Sequence, residues 1–302
     1  MAIISANMAK QFDANIKKMF FMEFMQYKEM EKLVNMKGSS KPFERVATVG
    51  EMPMPGKVGQ YETIPEARFL PGPQREWIHE KYAFKVIASE EMIDDELFNV
   101  VSRSGQAVGV AMRHRYETQG VYDYDTAFTL STVGPNDTAS ETLCATAHAT
   151  FPGAGGASQS NRPAVDITFG VDALWDAVNN FTQLTDREGN PIAKIPKKIV
   201  IHPLNKREVG EVLRSSQIPY LMNNEKNVIA DEGIAPAYSH YMASTMAWFL
   251  STEESPIDFY TRKAASVVVD DNAINQSRAW IISTRISHGP RSWENIYGTS
   301  GA

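Results

Sequence analysis

From position 8 to position 35, apolar side chains return every third or fourth residue: Phe12, Ile16, Met19, Phe20, Tyr27, Met30 and Val34, with no Gly or Pro among them. That spacing predicts a helix. Phe21, Phe24 and Met25 widen the stripe beyond the width that one neighbouring surface covers. Gly38-Ser39-Ser40 closes the segment. The pattern then changes. Phe43–Val49 and Trp77–Ile87 have the Val, Thr, Ile, Tyr, Phe and Trp content of strands, and between them stand Pro53, Pro55, Gly56, Gly59, Pro65, Pro71, Gly72 and Pro73. So many breakers exclude a helix and predict a long excursion out and back. A loop of this size belongs to function rather than to a compact core.

Ser89 opens a second long helix, running to about Gln119. Glu90, Glu91, Asp94, Asp95 and Glu96 crowd its first turns, where the helix dipole favours carboxylates. Ile93, Leu97, Val100, Val101, Val108, Ala111 and Met112 follow at helical spacing. Gly105 and Gly109 lie inside it at a cost of about 1 kcal/mol each, and close approach of another backbone is the expected reason. Residues 120–165 read as loop. A second compact region starts near Asp166, with a helix on Val171, Leu174, Trp175, Val178 and Phe181, a turn at Gly189-Asn190-Pro191, a buried strand at Ile199–Ile201 and a helix over Lys206–Arg214. Residues 217–240 are rich in turns but keep Ile218, Tyr220, Leu221, Met222, Val228 and Ile229. Strand character resumes at Ala247–Leu250, Ile257–Tyr260, Ala265–Val269 and Ala279–Ser287.

With 302 residues, 43% of them hydrophobic, the chain can bury a substantial core and is long enough for about two domains. A net charge of -6 excludes a protein that coats nucleic acid by neutralising phosphates, though not a wall that encloses it. The N-terminal part is an exception, with eight basic against five acidic residues between Lys10 and Arg45. The single Cys144 excludes an intrachain disulfide and a cysteine metal cluster. No apolar run is long enough to span a bilayer, and no signal-peptide cleavage site follows the greasy Met19–Met25 stretch, so the chain is expected to be made in the cytoplasm and to need no membrane.

Candidate chemistry is sparse. Cys144 and His148 stand four apart, a spacing open to a thiol nucleophile and its base, but no third orienting group can be named. A buried thiol beside a loop-organising histidine is the plainer reading. Gly153-Ala154-Gly155-Gly156 lacks the Lys-Ser/Thr of a phosphate loop. The six histidines show no metal-ligand spacing. The residues thus point to no catalytic site, no cofactor and no metal, and to a structural protein rather than an enzyme.

An N-terminal arm, a long β excursion, a very long helix, an inserted α/β region and returning late strands, in that order, resemble the major capsid protein of tailed bacteriophages, a fold shared with encapsulins. The resemblance covers almost the whole chain. Asn227–Gly233 followed by Ala247-Trp248-Phe249-Leu250, and the ending Arg285-Ile286-Ser287-His288-Gly289 with Trp293, Tyr297 and Gly298, are similar to that family's late segments. His148 with Ser160-Asn161, and Gly189-Asn190-Pro191 before Pro196, are similar to the Mu-like head subunit branch.

The resemblance implies an α+β fold with an arm (1–41), an extended β loop (42–88), a peripheral domain built on the spine helix (89–165 and 251–302) and an axial domain (166–250). It implies a subunit that assembles with itself into pentamers and hexamers around double-stranded DNA in a virion, built in the host cytoplasm with a separate scaffolding protein and a portal. Phe12, Ile16, Phe20 and Phe24 of the arm, Glu90, Glu91, Asp94 and Asp95 of the spine, and Tyr220, Leu221 and Met222 near the capsomer axis are then expected at subunit interfaces. So is Lys57, near the loop tip. Some capsid proteins of this fold cross-link a lysine there, but no partner is identifiable here. An encapsulin-type shell is the alternative within the fold, and a cysteine hydrolase using Cys144 and His148 the alternative outside it.

Overall fold

A computed structural model of the chain describes residues 2–26, 28–49, 54–66, 71–94, 98–133, 141–148, 158–185, 190–217, 226–272, 274 and 276–301. Two helices set its frame. The first, α1 (Ala2–Phe24), lies along the third, α3 (Phe98–Asp125). Gly105 and Gly109 make the approach possible. A Cβ on Gly105 would stand 3.3 Å from the Ile16 carbonyl oxygen, and one on Gly109 only 2.7 Å from that of Phe20. The helix-propensity cost is thus offset by backbone-close packing, as expected from the sequence. Ile16, Phe20 and Phe24 are buried there with Val108, Met112 and Tyr116.

The expected first helix is shortened. Its pattern runs to position 35, but the helix ends at Phe24 and the chain turns through a short 3-10 segment, Glu29–Lys32, into β1 (Asn35–Gly38). Tertiary contacts override periodicity here. The Met30 amide donates to the buried Glu117 carboxylate at 2.9 Å, and β1 finds a parallel partner in the late strand β10 (Ile257–Asn272). Glu117 is pushed above the usual carboxylate range, chiefly by burial. Of the expected spine, Glu90–Asp94 is helical as α2 and Phe98–Asp125 as α3, which runs past the expected end; residues 95–97 lie outside the described residues.

The expected out-and-back excursion is present as an antiparallel pair, β2 (Phe43–Val49) with β3 (Pro71–Ile78). Beyond it, all of 54–66 is exposed. The expected strand Trp77–Ile87 is broken at His79, where the chain leaves β3 and enters β4 (Glu80–Ser89). A four-stranded sheet runs β1-β10-β11-β4, with β11 spanning Ser277–Pro290. Alternation along β11 sends Trp280, Ile282 and Ile286 to the core that α1 and α3 share.

A small pair, β5 (Ser131–Val133) with β6 (Glu141–Thr142), precedes the second compact region. There α4 (Val171–Gln183) and α5 (Lys206–Arg214) cover a sheet of β7 (Pro196–Ile201), β8 (Ala235–Tyr238), β9 (Trp248–Thr252) and β12 (Ile296–Thr299), in the order β12-β9-β7-β8. This sheet is the wall between two cores. Ile199, Ile201, Trp248 and Leu250 face the α4–α5 core, while Val200 and Phe249 face the first. A strand with both faces buried needs the continuous apolar run that Ile199-Val200-Ile201 and Trp248-Phe249-Leu250 supply. Trp293 touches both cores.

Candidate assembly surfaces

Residues expected at interfaces fall into three groups. Ile16, Phe20 and Phe24 turn inward onto α3. Phe12 and Asp94 sit on helices, but their side chains lie outside the described residues, as do Asp95, Tyr220, Leu221 and Met222 altogether. Lys57, Glu90 and Glu91 are exposed. The structure therefore brings the arm residues together, inside the chain, and leaves the loop and spine residues apart at the surface. Turned outward are Phe21 and Met22 of α1 and Met25 just past its end, the last 70% exposed.

One anchor of the arm escaped the sequence pattern. Asp13 takes a two-pronged hydrogen bond from Arg278 of β11, at 3.1 and 2.6 Å, and a third from Trp280 Nε1 at 3.0 Å. The net-basic arm is thus anchored by one of its acids as well as by Lys37, which pairs with the buried Asp258 at 2.7 Å. No signal along the chain links residues this far apart.

The loop's base is held firmly. Arg75 donates to the Pro290 and Arg291 carbonyls at 3.1 and 2.8 Å, and burial lowers its guanidinium to about 10. Trp77 stacks on Tyr260 with ring centroids 5.8 Å apart and fills the space where a Cβ on Gly289 would stand. The buried His79 ring bridges Ser39 Oγ at 3.0 Å and Ser287 Oγ at 2.9 Å. Past this clamp, the described loop residues 54–66 are all exposed, with a local bond from the Gly59 amide to Glu62 at 2.7 Å. Tyr61 is 99% exposed with a positive φ of 72°, and Met54 and Ile64 are exposed to 72% and 76%.

The chemistry considered for Cys144 and His148 is not built. Cys144 is fully buried, and burial pushes its thiol up, away from the thiolate a nucleophile needs. His148 does not attend to it. Its Nδ1 faces Glu141 Oε2 at 2.8 Å and its Nε2 faces Asn161 Oδ1 at 2.9 Å, while its ring stacks on Trp293 at 4.3 Å. Among the described residues no cluster of metal-ligating side chains forms, and no helix is long and apolar enough to cross a membrane. The glycine run 153–156 lies outside the described residues.

No family model matches the chain, and no curated protein matches it either. Solved structures do. The capsid of a native GTA particle, computed with C5 symmetry, aligns over 92% of this chain and 92% of its own, with a TM-score of 0.57 at 12% identity. The capsid of the cyanophage P-SCSP1u aligns over 90% of this chain and 87% of its own, with a TM-score of 0.56 at 13% identity. This is the tailed-phage capsid fold. A virus-like particle from Pyrococcus furiosus shares it at 9% identity and a TM-score of 0.50, over 95% of this chain and 98% of its own. These three structures are of two capsids and a virus-like particle. The similarity to the Mu-like branch finds no support among them.

Proposed function

We propose that this chain is the major shell subunit of a tailed-phage head, assembling into pentamers and hexamers that enclose double-stranded DNA. The observation that carries the reading is the alignment of nine-tenths of the chain with capsid subunits, one of them from a particle with fivefold symmetry. The exposed apolar loop supports it: Met54, Tyr61 and Ile64 stand out in solvent and fit a neighbouring copy. In this reading 42–88 is the loop that reaches the neighbour, with Lys57 near its tip. The region 166–250 is the axial domain, whose Tyr220, Leu221 and Met222 stand near the symmetry axis, and 89–165 with 251–302 is the peripheral domain on its spine. The arm, 1–41, carries Phe12 and the outward Phe21, Met22 and Met25 to the next subunit, and its basic residues lie near Glu90, Glu91, Asp94 and Asp95 of that subunit's spine. A separate scaffolding protein, a portal and assembly in the host cytoplasm complete the reading.

The match to the Pyrococcus furiosus particle favours a second reading, a cellular shell loaded with protein cargo. Sedimentation of the expressed protein followed by analysis of what the particles protect from nuclease separates the two. Large particles from the native host that protect double-stranded DNA support the phage head. Particles that hold a co-purifying enzyme and no DNA support the cargo shell, and a non-assembling monomer rejects both.

A further inference from the structure

His148 lies where β6, the segment around Asn161 and the C-terminal stretch meet, and its surroundings fix a proton count. Asn161 cannot be turned over. Its Nδ2 donates among the carbonyls of Leu143, Trp293 and Ile296, at 2.9, 3.1 and 3.0 Å, and its Oδ1 accepts from the Ala145 amide at 2.9 Å. The oxygen therefore faces His148, and Nε2 must carry a hydrogen to donate to it. The other ring nitrogen faces the Glu141 carboxylate at 2.8 Å. Two bare acceptors do not rest at that distance, so one proton lies between Nδ1 and Oε2, whichever atom holds it.

His148 is fully buried and Glu141 mostly so. Burial, the largest influence on the ring, lowers its hold on a proton, and the bonds to Asn161 and Glu141 oppose it; the count is fixed by the geometry of the two facing acceptors. With the shared proton the pair is neutral overall. Without it the pair carries one negative charge in a poorly hydrated site. The cation facing this pair is Arg75 of β3, and Glu294 faces Arg75 as well, so its charge is divided between two carboxylates.

We propose that Glu141 and His148 share one buried proton, and that this proton latches the C-terminal segment 293–298 onto the body of the subunit, so that alkaline pH loosens it. The route of transmission is short. Asn161 holds the carbonyls of Trp293 and Ile296 with its side chain and the Gly298 amide with its own carbonyl, at 3.0 Å for the last. The His148 ring lies flat on Trp293, which touches both cores. In the unfolded chain the histidine titrates near about pH 6.5. A proton held more tightly in the folded state contributes stability that is complete below that value and is lost as the pH rises through the folded pair's own titration.

The test concerns the folded subunit alone and does not depend on shell assembly. Thermal midpoints of the wild type and of Glu141→Gln are measured from about pH 7 to about pH 9, short of the range in which Arg75 beside the pair loses its own charge. The glutamine amide offers Nδ1 a hydrogen that cannot titrate. The wild-type midpoint is expected to fall over this range by at least about 3 °C more than that of the variant, every other titrating group being common to both. Parallel curves overturn the proposal. If Glu141→Gln does not fold, hydrogen exchange of the wild type decides. Protection of the Ile296–Thr299 amides, relative to that of the β10–β11 pair and corrected for intrinsic rates, should drop at the alkaline end. Unchanged relative protection overturns the latch.

Discussion

The strands β7 and β9 and the loop 54–66 are stretches of similar length with opposite fates. Ile199, Val200, Ile201, Trp248, Phe249 and Leu250 are completely buried, some facing one core and some the other. The loop is exposed at every one of its described positions, Met54, Tyr61 and Ile64 included. Both stretches are apolar enough to bury surface. Only the first finds that surface within its own chain. The difference separates the part of the molecule that makes it fold from the part that, in the proposed shell, is kept for another copy.

Replacing residues 52–73 by a short turn should sharpen that contrast most. Thermal stability should stay near wild type while shells, assayed by sedimentation, disappear. Unfolding of the shortened chain would place the loop in the core and break the comparison. Next in size, replacing Tyr220, Leu221 and Met222 together by Ser should leave folded monomers that form no pentamers or hexamers by native mass measurement, whereas capsomers of normal stability would remove these residues from the axis. Gly109→Val attacks the interior side. Its side chain must displace the Phe20 carbonyl, and about 1–3 kcal/mol should be lost in denaturant unfolding. Gly210→Ala is the opposite control. It lies inside α5 with nothing near its would-be Cβ, and about 0.5–1 kcal/mol should be gained in the same assay. Smallest is the effect of salt. Contacts between a basic arm and Glu90 and Glu91 of a neighbour are worth at most about 1 kcal/mol each, so assembly should weaken modestly from low to high salt. Assembly that does not weaken would leave the contact to Phe21, Met22 and Met25.

What the sequence revealed was local or periodic. Leu174, Val178 and Phe181 placed α4, and Lys206–Arg214 matched α5 from end to end. Gly105 and Gly109 announced a close backbone, although not which one. What it hid depends on partners far away. Asn35–Gly38 looked like the end of a helix because β10, which makes it a strand, is more than two hundred residues on. Ile296–Thr299 is too short to read as a strand without β9 beside it. His148 reads in the sequence as a loop organiser, but what it organises is hidden there, because Glu141, Asn161 and Trp293 meet it only in the folded chain. The fold was legible because ordered elements carry it. The assembly surface was less so, because an interface residue and a core residue look alike until one of them is seen to be covered.

Imaging the purified subunit, expressed with its scaffolding protein, by negative-stain electron microscopy tests the shell reading most directly. Closed shells, or the tubes and sheets of incomplete closure, built from fivefold or sixfold capsomers, are the predicted result. A field of single folded subunits at high protein concentration, with the scaffold present, would contradict it.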